Sequence, residues 1–500
     1  MPIDFRRHAV LLRSFSAAVS VFLLWYTEAG AVPLGTWRMP LFNYASDFEA
    51  TDGSPSRMFW DGITGSSLFD PSVWPRNDSG VNRWIIEPAV AVAAGGASLD
   101  TSAASKYLYG NVYHEARYGF LRIGQALDVD TRYKDDPLYP AHRDRFIGGR
   151  IGEAFLQLDW KHGFLNIGRK QRSWGPFPDR SCMLSPNPFS YDAVEWQLFG
   201  SFFEFRHLFA PFSLQRTAWD SDDGSVRDRY LSAHSLNFFL GKWVTLGVTE
   251  TILFTRSRGF PDLQYINPAS IYTVLNTNQE GDGNLMLGAQ WNIHPGIEKV
   301  SIRGQVIFDD FQVDDEVETD KEPTHWGIDA GIFWRDFSAR LPWRHLLKAE
   351  VTYASPWLYT VSDGGALQGE RYTYLGKSLG LPFSDGLRVR VGATVVPATY
   401  GVCGVSLGYS ERGGNTARTS WLDASHTPGL PFDTDAPVER RFGIGAEGCW
   451  YFKNYVDIGG SGDLGWVRNR DNAATGDFRF DPAFNIRVSV HFCNAMVRFP

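Results

Sequence analysis

LRVRVGATVV, Leu387 to Val396, is the stretch whose reading decides the fold. Leu387, Val389, Val391, Ala393 and Val395 alternate with Arg388, Arg390 and Thr394. Successive side chains of a β-strand point to opposite faces, so this segment has one apolar face and one basic face. Residues 300–308 repeat the pattern: Val300, Ile302, Val306 and Phe308 alternate with Ser301, Arg303 and Gln305. Residues 484–492 do so again, with Phe484, Ile486, Val488, Val490 and Phe492 set against Asn485, Arg487, Ser489 and His491.

Working outward, period-2 runs of roughly ten residues recur from Asn82 to the end, the length a tilted membrane strand needs. Tight turns at Lys161 to Gly163, Gly241-Lys242, His294 to Glu298 and Lys453-Asn454 alternate with long polar stretches. Those stretches cover about 172–193, 210–229, 257–284, 313–325, 356–386, 411–440 and 468–483. A soluble sandwich does not sort its loops this way; an outer-membrane barrel does. The expected fold is all-β: a transmembrane antiparallel β-barrel of about 18 strands (16–18), with short periplasmic turns and long extracellular loops. The apolar set then faces lipid. The polar set faces the lumen, where Arg303, Arg388, Arg390 and Arg487 make a partly basic wall.

Composition agrees. The 500 residues include 18 Trp, 20 Tyr, 36 Phe and 50 Gly, while only 43% are hydrophobic and the mean hydropathy is negative. A helical membrane protein needs more apolar residues; a barrel needs them only at alternate positions, plus aromatic girdles. The formal charge of −8 argues against a nucleic-acid binder.

Arg6, Arg7 and Arg13 precede the apolar run SAAVSVFLLWY and the small-residue site Thr27-Glu28-Ala29-Gly30-Ala31, which reads as a secretory signal peptide over 1–31, cleaved near Ala31. The expected destination is the bacterial outer membrane. Residues 32–82, without clear period, are expected to form a periplasmic segment or short plug. The barrel is expected over 83–492, with 493–500 as a tail and Phe499 as the competing strand end. Cys182, Cys403, Cys449 and Cys493 lack metal-site spacing. Cys403 and Cys449 lie almost equidistant from the middle of the loop joining their strands, which raises a Cys403–Cys449 disulfide as a hypothesis.

The segment GRKQRSWGPFPDRSCMLSPNPF, Gly168 to Phe189, reads as a long loop between two strands. Arg169, Lys170, Arg172, Trp174 and Arg180 make it the candidate binding site for an anionic or sugar-like partner. Arg offers fork-shaped donors and Trp a flat stacking face. A surface loop packed on itself is the plainer alternative.

Other motifs carry less. Gly443-x-Gly445-x-x-Gly448 matches a dinucleotide fingerprint, but it continues as a strand where a helix N-terminus is required. Ser378 and Ser406 sit in Gly-x-Ser-x-Gly strings without the strand-to-helix turn of a nucleophile elbow. Asp220-x-Asp222-Asp223-Gly224 lacks the closing Glu of a calcium loop. The acidic run from Asp309 to Glu322 reads as a solvated loop before it reads as a cation site. No catalytic residue, metal or cofactor is expected.

Four strings together resemble the capsule-assembly (Wzi-type) outer-membrane proteins. Gly168 to Pro176 is similar to that family's Gly-Arg-x-x-x-x-Trp-Gly-Pro segment. LGVTETILF with INPAS (246–254, 266–270), DGNLMLGAQWNIHP to VIFDDFQ (282–312) and YLGKSLGLPFSDGLRVRV (374–391) follow in the same order. The resemblance implies a barrel of about eighteen strands and a surface lectin that holds capsular polysaccharide, not an enzyme. It also implies a periplasmic helical bundle closing the pore; residues 32–82 here show little helical period.

The leading reading is a barrel that binds and retains capsular or exopolysaccharide at the cell surface. The alternative is a porin for anionic or sugar solutes. Expected partners are the glycan, outer-membrane lipid and lipopolysaccharide, and the barrel-assembly machinery; a monomer is the expected form.

Overall fold

The computed structural model describes residues 59–61, 83–97, 105–177, 180–212, 228–256, 260–278, 283–297, 299–310, 324–361, 367–398, 401–417, 419, 437–452, 456–491 and 495–498. The expected signal peptide, the rest of 32–82, Asp220 to Gly224, the acidic run beyond Asp310, the turn at Lys453-Asn454 and Cys493 lie outside them.

In chain order the wall strands are β1 (Arg83–Ala97), β2 (Ser105–Tyr118), β3 (Leu121–Asp130), β4 (Gly148–Trp160), β5 (Gly163–Lys170), β6 (Tyr191–Phe199), β7 (Phe203–Pro211), β8 (Asp228–Leu240) and β9 (Val244–Arg256). They continue as β10 (Gly283–Ile293), β11 (Val300–Asp310), β12 (His325–Arg335), β13 (Arg344–Ala354), β14 (Gly386–Ala398), β15 (Gly401–Arg412), β16 (Glu439–Phe452), β17 (Val456–Arg468) and β18 (Arg479–His491). Each pairs antiparallel with its chain neighbours, and β18 pairs with β1 to close the ring. Among the described residues the wall therefore has eighteen strands, as the alternation implied. One boundary differs. Ala495–Arg498 pairs with the start of β1, so four residues expected in a tail extend the closing strand.

The two faces follow the alternation. On β14 and β18, Val389, Val391, Phe484, Ile486 and Val488 are exposed outward. Ser301, Arg303 and Gln305 of β11 are buried in the lumen. Tyr118, Phe120, Trp160, Phe202, Trp243 and Trp343 are exposed beside the short turns. Phe442, Trp466 and Phe480 pack as tilted rings across β16–β18 near the long-loop rim. Two aromatic girdles flanking an apolar band are what a bilayer selects, because amphipathic rings settle at the headgroup level.

One flank breaks the pattern. His207, Ser232, His234 and Glu250 stand on the outward face of β7–β9, among Phe209, Tyr230, Ile252 and Phe254. Residues 260–278 fold down over them as a strap carrying two short helices, α1 (Leu263–Ile266) and α2 (Tyr272–Asn278). Tyr265 and Tyr272 are fully buried against the wall. Glu250 accepts hydrogen bonds from the Tyr272 N–H (2.9 Å), the Thr273 hydroxyl (2.7 Å) and His234 Nε2 (3.0 Å). The strap turns Phe260, Leu263, Ile271 and Val274 outward. Apolar surface thus replaces a polar patch that acyl chains could not solvate. Glu250→Ala is expected to loosen the strap. Losing hydrogen bonds to a charged group costs about 1.5–3 kcal/mol, which is roughly tenfold or more in open population. Faster chymotryptic cleavage after Tyr265 and Tyr272 is the readout; an unchanged rate would show that the apolar contacts alone hold the strap.

Candidate functional site

The segment 171–190 turns inward and down into the barrel. Its strand Arg172–Trp174 pairs with Phe59–Asp61 from the N-terminal segment. Its anchor is Glu195 on the lumen face of β6. Glu195 Oε2 lies 3.0 Å from Arg172 Nε, and Oε1 lies 2.5 Å from Arg206 Nη2 and 3.2 Å from Trp174 Nε1. Arg172 also donates to the carbonyls of Lys170 (3.0 Å) and Tyr191 (2.9 Å). Arg206 lies over the Trp174 ring at 5.1 Å. All four side chains are buried.

Residues 355–361 and 367–385 of the β13–β14 connection enter from the opposite wall and pack on this segment. Leu358, Tyr359, Tyr372, Tyr374, Leu375, Leu379 and Leu381 join Trp174, Met183 and Leu184 with lumen-facing residues of β6–β11 and β13 in one apolar core. The Tyr359 hydroxyl donates to the Cys182 carbonyl (2.5 Å) and accepts from the Leu381 N–H (3.0 Å). A Cβ at Gly380 would meet the Cys182 carbonyl at 2.3 Å, so the two segments touch backbone to backbone there. Trp357, Tyr359, Leu375 and Asp385 hold positive φ values, a strained conformation that dense packing enforces. Burial raises the Cys182 thiol and the Tyr359 phenol well above their ordinary pKa values, which makes Cys182 an inert core thiol.

The five candidate residues are therefore not gathered on one outer surface. Arg172 and Trp174 are sealed on Glu195. Lys170 is buried 4.8 Å over the Phe155 ring. Arg180 bridges Asp329 (2.7 Å) and Glu350 (2.5 Å) and stacks on Phe177. Arg169 pairs with Asp192 at 2.6 Å near the long-loop rim. Wall carboxylates take the place expected for an acidic ligand. The four lumen arginines also separate. Arg303 is sealed 3.7 Å over Phe333, below the inward segment. Arg388 and Arg390 line a cleft with Arg441, Glu447, Asp463 and Asn485. Arg487 stands on the lumen face of β18 beside Gly459.

The cysteine pairing is corrected. No disulfide joins Cys403 to Cys449. Cys403 lies opposite Gly448, and Cys449 opposite Val402. A one-residue offset puts the two sulfurs on opposite faces of the wall, Cys403 outward and Cys449 inward.

Two clefts open on the polar side of the lumen. The larger, about 460 Å³, lies along β14–β18 and is walled by Ser406, Gly408, Gly443, Gly445 and Ser461 as well as the charged residues above. Small residues leave the room, and the Gly-x-Gly-x-x-Gly string belongs to this wall as a strand. The smaller, about 250 Å³, lies between β2–β4, Tyr133 and residues 186–190. Gln171 and Pro186 to Phe189 of the basic segment line it, but none of the five candidate residues named from the sequence does. The available signal was the set of tyrosines, acids and amides at lumen positions of β2 and β3: Tyr109, Asn111, Tyr113 and Asp128.

An antiparallel ring with short turns at one rim, long loops at the other, aromatic girdles and a polar interior is an outer-membrane-type β-barrel. Among solved structures, it is similar to Wzi of Escherichia coli, an outer-membrane protein involved in group 1 capsule assembly and a carbohydrate-binding β-barrel. That match has a TM-score of 0.61 at 12% identity, over 93% of this chain and 100% of that one. OccAB1 of Acinetobacter baumannii gives a TM-score of 0.47 at 10% identity, over 85% and 100% of the two chains. OpdK of Pseudomonas aeruginosa gives 0.46 at 9%, over 83% and 99%. No family model matches the sequence, and no curated protein matches it.

Proposed function

We propose that the chain is an outer-membrane barrel that binds and retains polysaccharide at the cell surface. The observation that carries this reading is the apolar core built by 171–190 and 355–385 inside the wall. An eighteen-stranded barrel left empty encloses a water channel. Here that space along β6–β13 is filled by buried side chains, a poor design for transport and a rigid one for presenting loops. The shared fold with Wzi and the four strings resembling Wzi-type proteins support the same reading. The test is glycan partition in a strain lacking the protein. The expected result is unchanged total polysaccharide with a larger share shed to the medium. An unchanged partition would remove the tether reading.

The cleft along β14–β18 favours a second reading. Arg388, Arg390 and Arg441 beside small residues would suit a porin for anionic or sugar solutes. Steady ion conductance of the native protein in a planar bilayer would support it over the first.

A further inference from the structure

The smaller cleft contains an arginine whose situation differs from its neighbours'. Arg122, Arg172, Arg180, Arg206 and Arg441 each lie within 3.0 Å of a carboxylate. Arg150, on the lumen side of β4, does not. Its Nη2 donates to the Ser190 carbonyl at 2.7 Å, and its guanidinium lies 4.2 Å over the Phe189 ring. Among the described residues no carboxylate pairs with it. Asp128, its cross-strand partner on β3, acts on it through space without an ion-pair contact: Asp128 Oδ1 accepts from the Tyr109 hydroxyl (2.6 Å) and from Asn111 Nδ2 (2.5 Å). A half-buried guanidinium with fork-shaped donors left over is a receptor for a planar anion.

The other walls have a different chemistry. Tyr109, Tyr133 and Phe189 supply aromatic faces. Tyr133 is held by stacking on Tyr139, centroids 4.5 Å apart and planes 3° from parallel. Burial raises the pKa of the Tyr133 phenol, which keeps it a neutral donor. Asp128, Glu153 and Asn187 bring acceptor oxygens to the same space. Asn187 spends its amide N–H on the Ser378 carbonyl (2.9 Å), which leaves its oxygen as an acceptor.

We infer that this cleft is a subsite for a single hexuronate residue of an acidic glycan, with the sugar carboxylate on Arg150. The inference deepens the polysaccharide-binding reading and rests on it. Three candidate ligands separate on chemistry. A simple organic acid would satisfy Arg150 but leave the acceptors on Asp128, Glu153 and Asn187 without hydroxyls. A neutral sugar would meet the acceptors and leave the guanidinium unpaired. A uronate carries both groups on one ring, and its C–H faces match the aromatic walls. The cleft, about 250 Å³, lies below the roughly 300–1,000 Å³ of drug-sized pockets, so it holds one ring and not an oligomer. Its lining residues Tyr109, Asn111 and Asp128 lie near the ends of β2 and β3 that carry the long loops. A polymer threading past would add such modest contacts by multivalency.

The test uses the full-length protein in detergent and two probes with identical hydroxyls: an oligogalacturonate and its methyl ester, titrated calorimetrically. Native protein is expected to bind the acid form on the order of tenfold tighter than the ester, the size of a charge-assisted contact. Arg150→Ala should abolish that preference, and Arg150→Lys should keep part of it. Retained heat-modifiable mobility on gels certifies the fold of each variant. If the folded Arg150→Ala protein keeps the preference, or if native protein binds both forms equally, the subsite is refuted while glycan binding stands. If neither probe binds, the subsite is refuted, and the polysaccharide reading is decided separately by the partition experiment.

Discussion

Glu195→Ala is expected to destabilise the protein by about 3–5 kcal/mol, the cost of stripping a buried ion pair of one partner. Glu195 links Arg172, Arg206 and the Trp174 indole. Removing it takes a shared carboxylate from two buried guanidiniums. Both then lose their shared counter-charge, and Trp174 loses its N–H acceptor. The damage should begin in the interior, because the wall's ladder bonds do not depend on Glu195. The expected signature is a lower urea midpoint for the Trp fluorescence transition, with barrel mobility on gels lost only at higher denaturant. Glu195→Gln should fall between the two, since an amide oxygen still accepts from Trp174 but carries no charge. A Glu195→Ala midpoint equal to the native one would mean that neighbouring groups already balance the two arginines. The same experiment bears on the loop's role. Changes at Arg172 or Trp174 that reduce glycan retention would have to be separated from this loss of core stability.

Removing the second inward segment is expected to turn a closed barrel into a conducting one. The segment has a natural neck: the Asp385 N–H donates to the Ser355 carbonyl at 3.0 Å, so the two ends already meet. A short Gly-Ser link between Ser355 and Asp385 can replace 356–384 without stretching β13 or β14. The excision removes Leu358, Tyr359, Tyr372, Tyr374, Leu375, Leu379 and Leu381 from the core. Water should enter the space they leave, as in empty barrels of this strand number. The native protein is expected to be silent in a planar bilayer and the excised form to show stable open-channel current. A folded excision variant that stays silent would show that this core is not what closes the lumen.

The wall was legible in the sequence because each of its rules is local. Alternation in Leu387 to Val396 gives the faces directly, and turn lengths give the rim on which each loop lies. The interior was not legible because its rules are long-range. Arg180 meets Asp329 and Glu350, 149 and 170 residues away. A basic loop has the same sequence whether its counter-charges come from a ligand or from distant strands. The cysteine pairing failed on a smaller scale. Equal spacing from a turn was right to within one residue, but in a strand one residue is the difference between the two faces. Glu250 was a readable exception. It stands between Val248 and Ile252 on the lipid side of an otherwise apolar row, a position where a bare carboxylate does not survive and some cover is required.

That cover has a consequence for how the molecule sits among its neighbours. The strap adds protein to one flank only, β7 to β10, and only toward the long-loop rim. On that flank the strap takes more area from one leaflet than from the other. The barrel's perimeter also has a heading. Among the described residues, one sector offers lipids the side chains of two short helices, and β14 and β18 offer pleated wall. Curvature and crowding act on such a body differently from different directions, so lateral packing in a dense membrane will have a preferred azimuth.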